Sequence, residues 1–216
     1  MEARANKDGS QQGDARRRRI HFDDARLVHR CKTGDSAAME YLIVKYQDRI
    51  YNTILRICGN TDDAAELTQD TFVKVIENIG RFQGRSSFYT WIFRIAVNLT
   101  LNHCKRQSKV QTKSLEADAT QVNQAGRKIL REFIRDEHSP DPEQVAQKKE
   151  LGQIALKALD SLTEDQRAVL VLRDVEQMSY ARIAVVLNVQ LGTVRSRLSR
   201  ARNSLREIME AFVDEG

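Results

Sequence analysis

The stretch Gly192–Arg206, GTVRSRLSRARNSLR, concentrates groups that can grip a polyanion. It carries Arg195, Arg197, Arg200, Arg202 and Arg206 on one segment of helical pattern. Val194, Leu198, Ala201 and Leu205 recur at steps of four, three and four, the inward stripe of an amphipathic helix. Opposite them lie Ser196, Ser199, Arg200 and Asn203, flanked by Arg195 and Arg197, with no acid until Glu207. Such a face suits a DNA major groove, because a guanidinium bridges guanine's two acceptors and also pairs with phosphates. A solvated basic helix is the competing reading of the same residues.

A second stretch, Arg81–Arg94, RFQGRSSFYTWIFR, mixes rings with cations. It holds Phe82, Phe88, Tyr89, Trp91 and Phe93, interleaved with Arg81, Arg85 and Arg94. Gly84, Ser86 and Ser87 mark a loop ahead of a helix. Rings that stack on bases, arginines that meet phosphates and a glycine loop that permits close approach together suit single-stranded nucleic acid. Packing is the alternative use of these rings. Trp91, Ile92, Ile95 and Leu99 share one face, so Trp91 is expected inside, while Phe82, Phe88 and Tyr89, nearer the loop, are the better candidates for bases. Thr90, Arg94, Asn98 and Asn102 form another stripe, followed by Lys105 and Arg106, that could track a backbone or simply be solvated.

The rest of the composition narrows the classes. The chain has 216 residues, 41% hydrophobic, with a net charge of +5. That is enough for one large or two small globular domains, and the charge favours a polyanionic partner. No apolar run is long enough to span a membrane. The polar, basic start lacks the apolar centre of a secretory signal, so a cytoplasmic protein is expected. Cys31, Cys58 and Cys104 are odd in number and far apart, without disulfide or zinc spacing. They read as reduced, packed thiols. The histidines are scattered and His103–Cys104 points to different sides of a helix, so neither a metal nor another cofactor is expected.

The elements that must position these stretches are helices. Strand signals are weak throughout, and the only prolines, Pro140 and Pro142, fall together in HSPDPEQ, the clearest break in the chain. The pattern predicts an all-α protein of two small helical domains joined by a flexible linker. Residues 1–20, ending in Arg16–Arg19, read as a disordered basic tail. Residues 21–106 hold four helices: about 22–32, 36–58 closed by Gly59, a third from Thr61 to Ile79 with Asp62 and Asp63 in its first turn, and a fourth from near Ser87 to about Arg106. Residues 107–140 read as a linker, in which Ile129, Leu130, Phe133 and Ile134 could form a docking turn. Residues 141–213 hold four more helices: about 142–159; one opened by Thr163 and Gln166 at capping-box spacing, with Val169, Leu170 and Leu172 inward; 179–187; and the arginine helix after the turn Asn188–Leu191. The last two make a helix-turn-helix.

In order and spacing, these blocks resemble the extracytoplasmic-function (ECF) sigma factors of the sigma-70 family. GDSAAMEYLIVKYQDRIYN, TDDAAELTQDTFVKV and FQGRSSFYTWIFRIAVNLTLNHCKR are similar to sigma region 2. LDSLTEDQRAVLVLRDVEQMSYARIAVVLNVQLGTVRSRLSRAR is similar to region 4. The resemblance implies a non-catalytic subunit that binds core RNA polymerase, directs it to promoter DNA and helps melt it. It implies that region 4 reads the −35 element as duplex through Arg195, Ser196, Arg197, Ser199 and Arg200, with Thr193 near a phosphate at the helix start. It implies that Phe82, Arg85, Ser87, Phe88 and Tyr89, with Asn98 and Asn102, take the melted non-template strand of the −10 element. It assigns contact with core polymerase to TDDAAELTQDTF, where Asp63, Glu66 and Asp70, with Gln69, lie on an acidic face. An anti-sigma factor packing between the two domains is a further partner found in the family.

Three departures from the family pattern stand out. Arg85 occupies a common aspartate position, Arg182 a common glutamate position, and Asn188 and Leu191 positions where glycine and proline are frequent, which predicts a slightly different turn. Two other classes compete with the sigma reading. A stand-alone helix-turn-helix regulator would bind duplex tightly by itself, whereas a sigma factor of this group would bind weakly without polymerase. A nucleic-acid enzyme would need a P-loop, metal cluster or nucleophile–base set, and the sequence offers none.

Overall fold

The computed structural model describes residues 24–113 and 162–214, with side chains placed for 24–108 and 162–207. The basic tail, the turn around Ile129–Ile134 and the helix expected at 142–159 lie outside the described residues. Every described element is helical: α1 (residues 24–32), α2 (Ser36–Cys58), α3 (Thr61–Asn78), a 3₁₀ turn (Ile79–Arg81), α4 (Phe88–Lys113), α5 (Glu164–Leu170), α6 (Tyr180–Leu187) and α7 (Leu191–Asp214).

Local chemistry sets the boundaries. Asp35 caps α2, its carboxylate accepting from the Ala38 amide at 3.1 Å while pairing with Arg30 at 2.7 Å. Gly59, at φ 77°, ends α2 in the left-handed conformation and donates its N–H to the Leu55 carbonyl at 2.8 Å. Asn60 caps α3 through the Asp62 and Asp63 amides at 2.8 and 3.1 Å. Helix α4 runs past the expected Arg106 to Lys113. The segment Gln107–Lys113 contains neither glycine nor proline, and its polarity, which suggested a linker, is what an exposed helix also shows.

In the front half, Ala38, Leu42, Tyr46, Ile50 and Ile54 of α2 face Ala64, Leu67, Phe72 and Val75 of α3 and Ile92, Phe93, Ala96 and Val97 of α4, all buried. In the rear half, the Thr163–Gln166 capping box opens α5 as expected. The chain then widens into a single π turn over Val171–Val175, ending with the Glu176 N–H on the Val171 carbonyl at 3.0 Å. Ser179 caps α6. Asn188 ends it at φ 52°, holding the left-handed position where glycine is frequent, and asparagine is the next residue to tolerate it. The turn departs in residue type while its backbone is a left-handed cap. Val194, Leu198 and Ala201 of α7 are buried, as their spacing predicts.

The two halves share one apolar core. Helix α4 packs on α2 and α3 with one side and on α5 and α6 with another.

Candidate nucleic-acid interface

Helix α7 divides its arginines by partner. Arg197 Nη2 pairs with Asp165 Oδ2 at 3.0 Å, and Arg202 Nη2 with Asp174 Oδ1 at 2.9 Å. Arg195 and Arg200 are exposed and form no ion pair with a described residue. Ser196 and Ser199 are exposed on the same side. The Ser196 hydroxyl donates to the Thr193 carbonyl at 3.0 Å. Thr193, in the first turn, is half-buried beside Asn188, Val189 and Gln190. Among the described residues, exposed donors outside any ion pair therefore sit at Arg195, Ser199 and Arg200, while Arg197 is held by a carboxylate.

The aromatic segment is arranged differently from the sequence expectation. Phe88 and Tyr89 are buried at 3% and 8% exposure, whereas Trp91 and Phe82 are only half-buried. Phe82 and Trp91 pack with tilted rings at 4.9 Å between centroids, and both meet Phe88, at 6.2 and 5.8 Å. The buried stripe of α4 runs Phe88, Tyr89, Ile92, Phe93, Ala96 and Val97, and Trp91 falls at its border. Ser87 is the cap of the helix, bonding the Thr90 amide at 3.2 Å and the Thr90 hydroxyl at 2.8 Å. Phe88, in the first turn, faces Tyr46 at 5.6 Å between ring centroids. The more accessible rings of the segment are thus Phe82 and Trp91. Arg85 is exposed beside Gly84, which sits at φ 70°. The loop is anchored by Lys32 of α1, which donates to the Phe82 carbonyl and lies 5.9 Å from its ring. Farther along α4, Arg94 and Asn102 are exposed and Asn98 half-buried.

On α3, Glu66, Gln69 and Asp70 are exposed, but Asp63 turns toward α4, where it meets His103 at 3.3 Å and Gln107 at 3.1 Å. The acidic stripe therefore begins at Glu66. Val73 and Ile76 continue it, at 45% and 51% exposure. Sequence reasoning singled out neither for this face, although Val73 lies three positions beyond Asp70 and Ile76 three beyond Val73.

Glu176 was missed entirely. Its carboxylate is buried and accepts from Arg49 Nε at 2.6 Å, Thr53 Oγ1 at 2.9 Å and the Tyr89 hydroxyl at 2.9 Å. Burial and the nearby carboxylate push the Tyr89 hydroxyl well above its ordinary pKa. Burial likewise raises the Cys58 thiol to about 11 and the Cys104 thiol to about 12, which fits packed, unreactive cysteines. Among the described residues, no cluster of histidine, cysteine, aspartate and glutamate could hold a metal, and no helix is long and apolar enough to cross a membrane.

A two-part helical fold with an exposed ring-and-arginine loop in front and an arginine-faced helix-turn-helix behind is chemistry that suits a nucleic-acid-binding protein. Residues 42–110 match the family Sigma-70 region 2, and residues 152–205 match Sigma-70, region 4. The RNA polymerase sigma-H factor of Pseudomonas aeruginosa is 32% identical over 89% of this chain and 96% of its own length. The ECF RNA polymerase sigma factor SigE of Mycolicibacterium smegmatis is 37% identical over 85% of this chain and 67% of its own. The sigma factor RpoE of Bartonella quintana, solved in complex with the anti-sigma factor NepR, shares the fold at TM-score 0.60 and 23% identity, over 79% of this chain and 96% of its own. The chain belongs to the ECF sigma factors of the sigma-70 family. Its function is promoter-specific transcription initiation with core RNA polymerase, not stand-alone regulation.

Proposed function

We propose that the chain divides promoter recognition between its halves, taking the −35 element as duplex on α7 and the melted −10 non-template strand on the front loop. The observation that carries this reading is the pairing of two solvent-facing, chemically different sites. Arg195 and Arg200 project from a rigid helix that fits a major groove. Phe82, Trp91 and Arg85 offer rings and a cation around an open loop, with Asn98 and Asn102 farther along α4. Base stacking of about 1–3 kcal/mol per base matches the few kcal/mol needed to unstack one, so two rings can hold a strand already frayed.

The face Glu66, Gln69, Asp70, Val73 and Ile76 is the proposed dock for core polymerase, an apolar patch set in acid that suits a basic, partly apolar helix. The functional units are residues 21–106 and 141–213, with 107–140 between. The chain acts in the cytoplasm and performs no catalysis of its own. An anti-sigma factor is a further proposed partner, in keeping with the complex of Bartonella quintana RpoE with NepR. The division of labour is tested with permanganate probing of unpaired thymines in holoenzyme on a mapped promoter. Arg200→Ala is expected to reduce promoter occupancy, while Trp91→Ala leaves occupancy and loses −10 reactivity. Equal loss of occupancy in both variants would contradict the division.

A further inference from the structure

Phe82 is held through both of its backbone polar groups. Its N–H donates to the Ile79 carbonyl at 3.2 Å, closing the 3₁₀ turn, and its carbonyl accepts from the Lys32 ammonium of α1. The same ammonium lies 5.9 Å from the Phe82 ring centroid, within reach of a cation–π contact. Beyond this residue Gln83, Gly84 and Arg85 are exposed, and Gly84 takes the left-handed conformation at φ 70°. Lys32 therefore holds the residue from which the open loop departs.

Helix α1 is itself seated along its length. Leu27, Val28 and Cys31 are buried. Asp24, also buried, accepts from Lys45 Nζ and from the Tyr46 hydroxyl, so a carboxylate with two partners fixes the start of α1 on α2. Near its other end Arg30 pairs with Asp35, the cap of α2, at 2.7 Å. Lys32 thus acts from a fixed base, which a flexible four-carbon stem needs if its head is to hold another residue in place.

We propose that Lys32 is a positioning residue for strand capture: through the Phe82 carbonyl it presets the Phe82 ring against Trp91, so that the pair is in place before a base arrives. The inference rests on the reading of the front loop as the −10 strand site. Stacking contributes when ring and base meet in register, and a preset ring spares the cost of ordering the loop at that moment. The ammonium serves the backbone of the loop, and its part is distinct from that of a phosphate contact.

The test uses the full-length chain with Lys32→Met and Lys32→Arg. Lys32 is exposed, so both variants are expected to melt like the wild type. Trp91 is the single tryptophan of the chain and packs on Phe82, so its fluorescence reports the ring pair without DNA or polymerase. Acrylamide should quench it more strongly in Lys32→Met and to the wild-type extent in Lys32→Arg, whose guanidinium still donates to a carbonyl. As holoenzyme, Lys32→Met should bind a single-stranded oligonucleotide carrying the −10 non-template sequence of a mapped promoter about fivefold more weakly, the loss that follows when the ring occupies its receiving position about a fifth of the time. The slope of log affinity against log salt should stay as in the wild type. A slope shallower by about 0.7 marks a lost phosphate contact and overturns the positioning role. So does unchanged quenching in Lys32→Met, or wild-type oligonucleotide affinity once quenching has risen. Failure of the strand-capture reading itself is seen separately in the wild type, as a holoenzyme that binds the −10 oligonucleotide no better than one of scrambled sequence.

Discussion

At the scale of single residues, DNA contact on α7 depends on which arginines are already engaged. Arg195→Ala and Arg200→Ala should each weaken duplex recognition, by about 1–3 kcal/mol where a base contact is lost, without moving the melting temperature. Arg202→Ala removes an exposed pair with Asp174, worth about 0–1 kcal/mol, and should leave promoter affinity nearly intact. Thermal melts and anisotropy on one set of proteins separate the two effects. The cysteines supply a pH prediction. The Cys58 and Cys104 thiols titrate near 11 and 12 in the fold, against an ordinary value of 9.0. Between those values the folded state holds protons that the unfolded state has released, so this stabilisation is full below pH 9.0 and is lost as pH rises through the folded values. Melting temperature should therefore fall above pH 9.0, and alkylation at pH 8 should be slow until the chain unfolds. The basic face was legible in the sequence because one helix carries it. The engagement of Arg197 and Arg202 was not, because their acids, Asp165 and Asp174, sit about thirty positions upstream.

At the scale of elements, short-range chemistry was readable and helix phase was not. Asp35, Gly59, Thr163–Gln166 and Ser179 act at the boundaries where their types predict a cap. Helix α4 carries two adjacent apolar stripes, one through Trp91, Ile95 and Leu99 and one through Phe88, Ile92, Phe93 and Ala96, and the second is the one that faces the core. Ser87 caps α4 through Thr90, which places Phe88 and Tyr89 in its first turn rather than in the loop. Phe88→Ala should therefore destabilise the protein by about 3–5 kcal/mol, as a cavity change does, and is unsuited to testing strand capture. Trp91→Ala, at the edge, should cost less in a denaturant melt and more in promoter opening. The turn before α7 gives a sharper test. Asn188→Ala places a Cβ in the left-handed region without the asparagine amide and should cost about 1–2 kcal/mol, while Asn188→Gly should be close to neutral.

At the scale of the whole molecule, both halves were recognisable as separate helical units, but their contact was not. Its apolar residues also serve the stripes of their own helices, and its polar centre joins Glu176 to Arg49, Thr53 and Tyr89 across long stretches of chain. Periodicity reports the first use of a residue and is silent about the second. Val73→Asp together with Ile76→Asp should abolish holoenzyme formation while leaving duplex binding by the rear half unchanged, as pull-down with core polymerase and anisotropy would show. The central claim is that this chain gives polymerase its promoter choice, and its most direct measurement is start-site mapping across genomic DNA with sigma-free core polymerase, with and without the protein. The account predicts a stable complex with core polymerase and a discrete set of new start sites sharing upstream elements. Initiation no more specific than with core polymerase alone, with no complex formed, would contradict it.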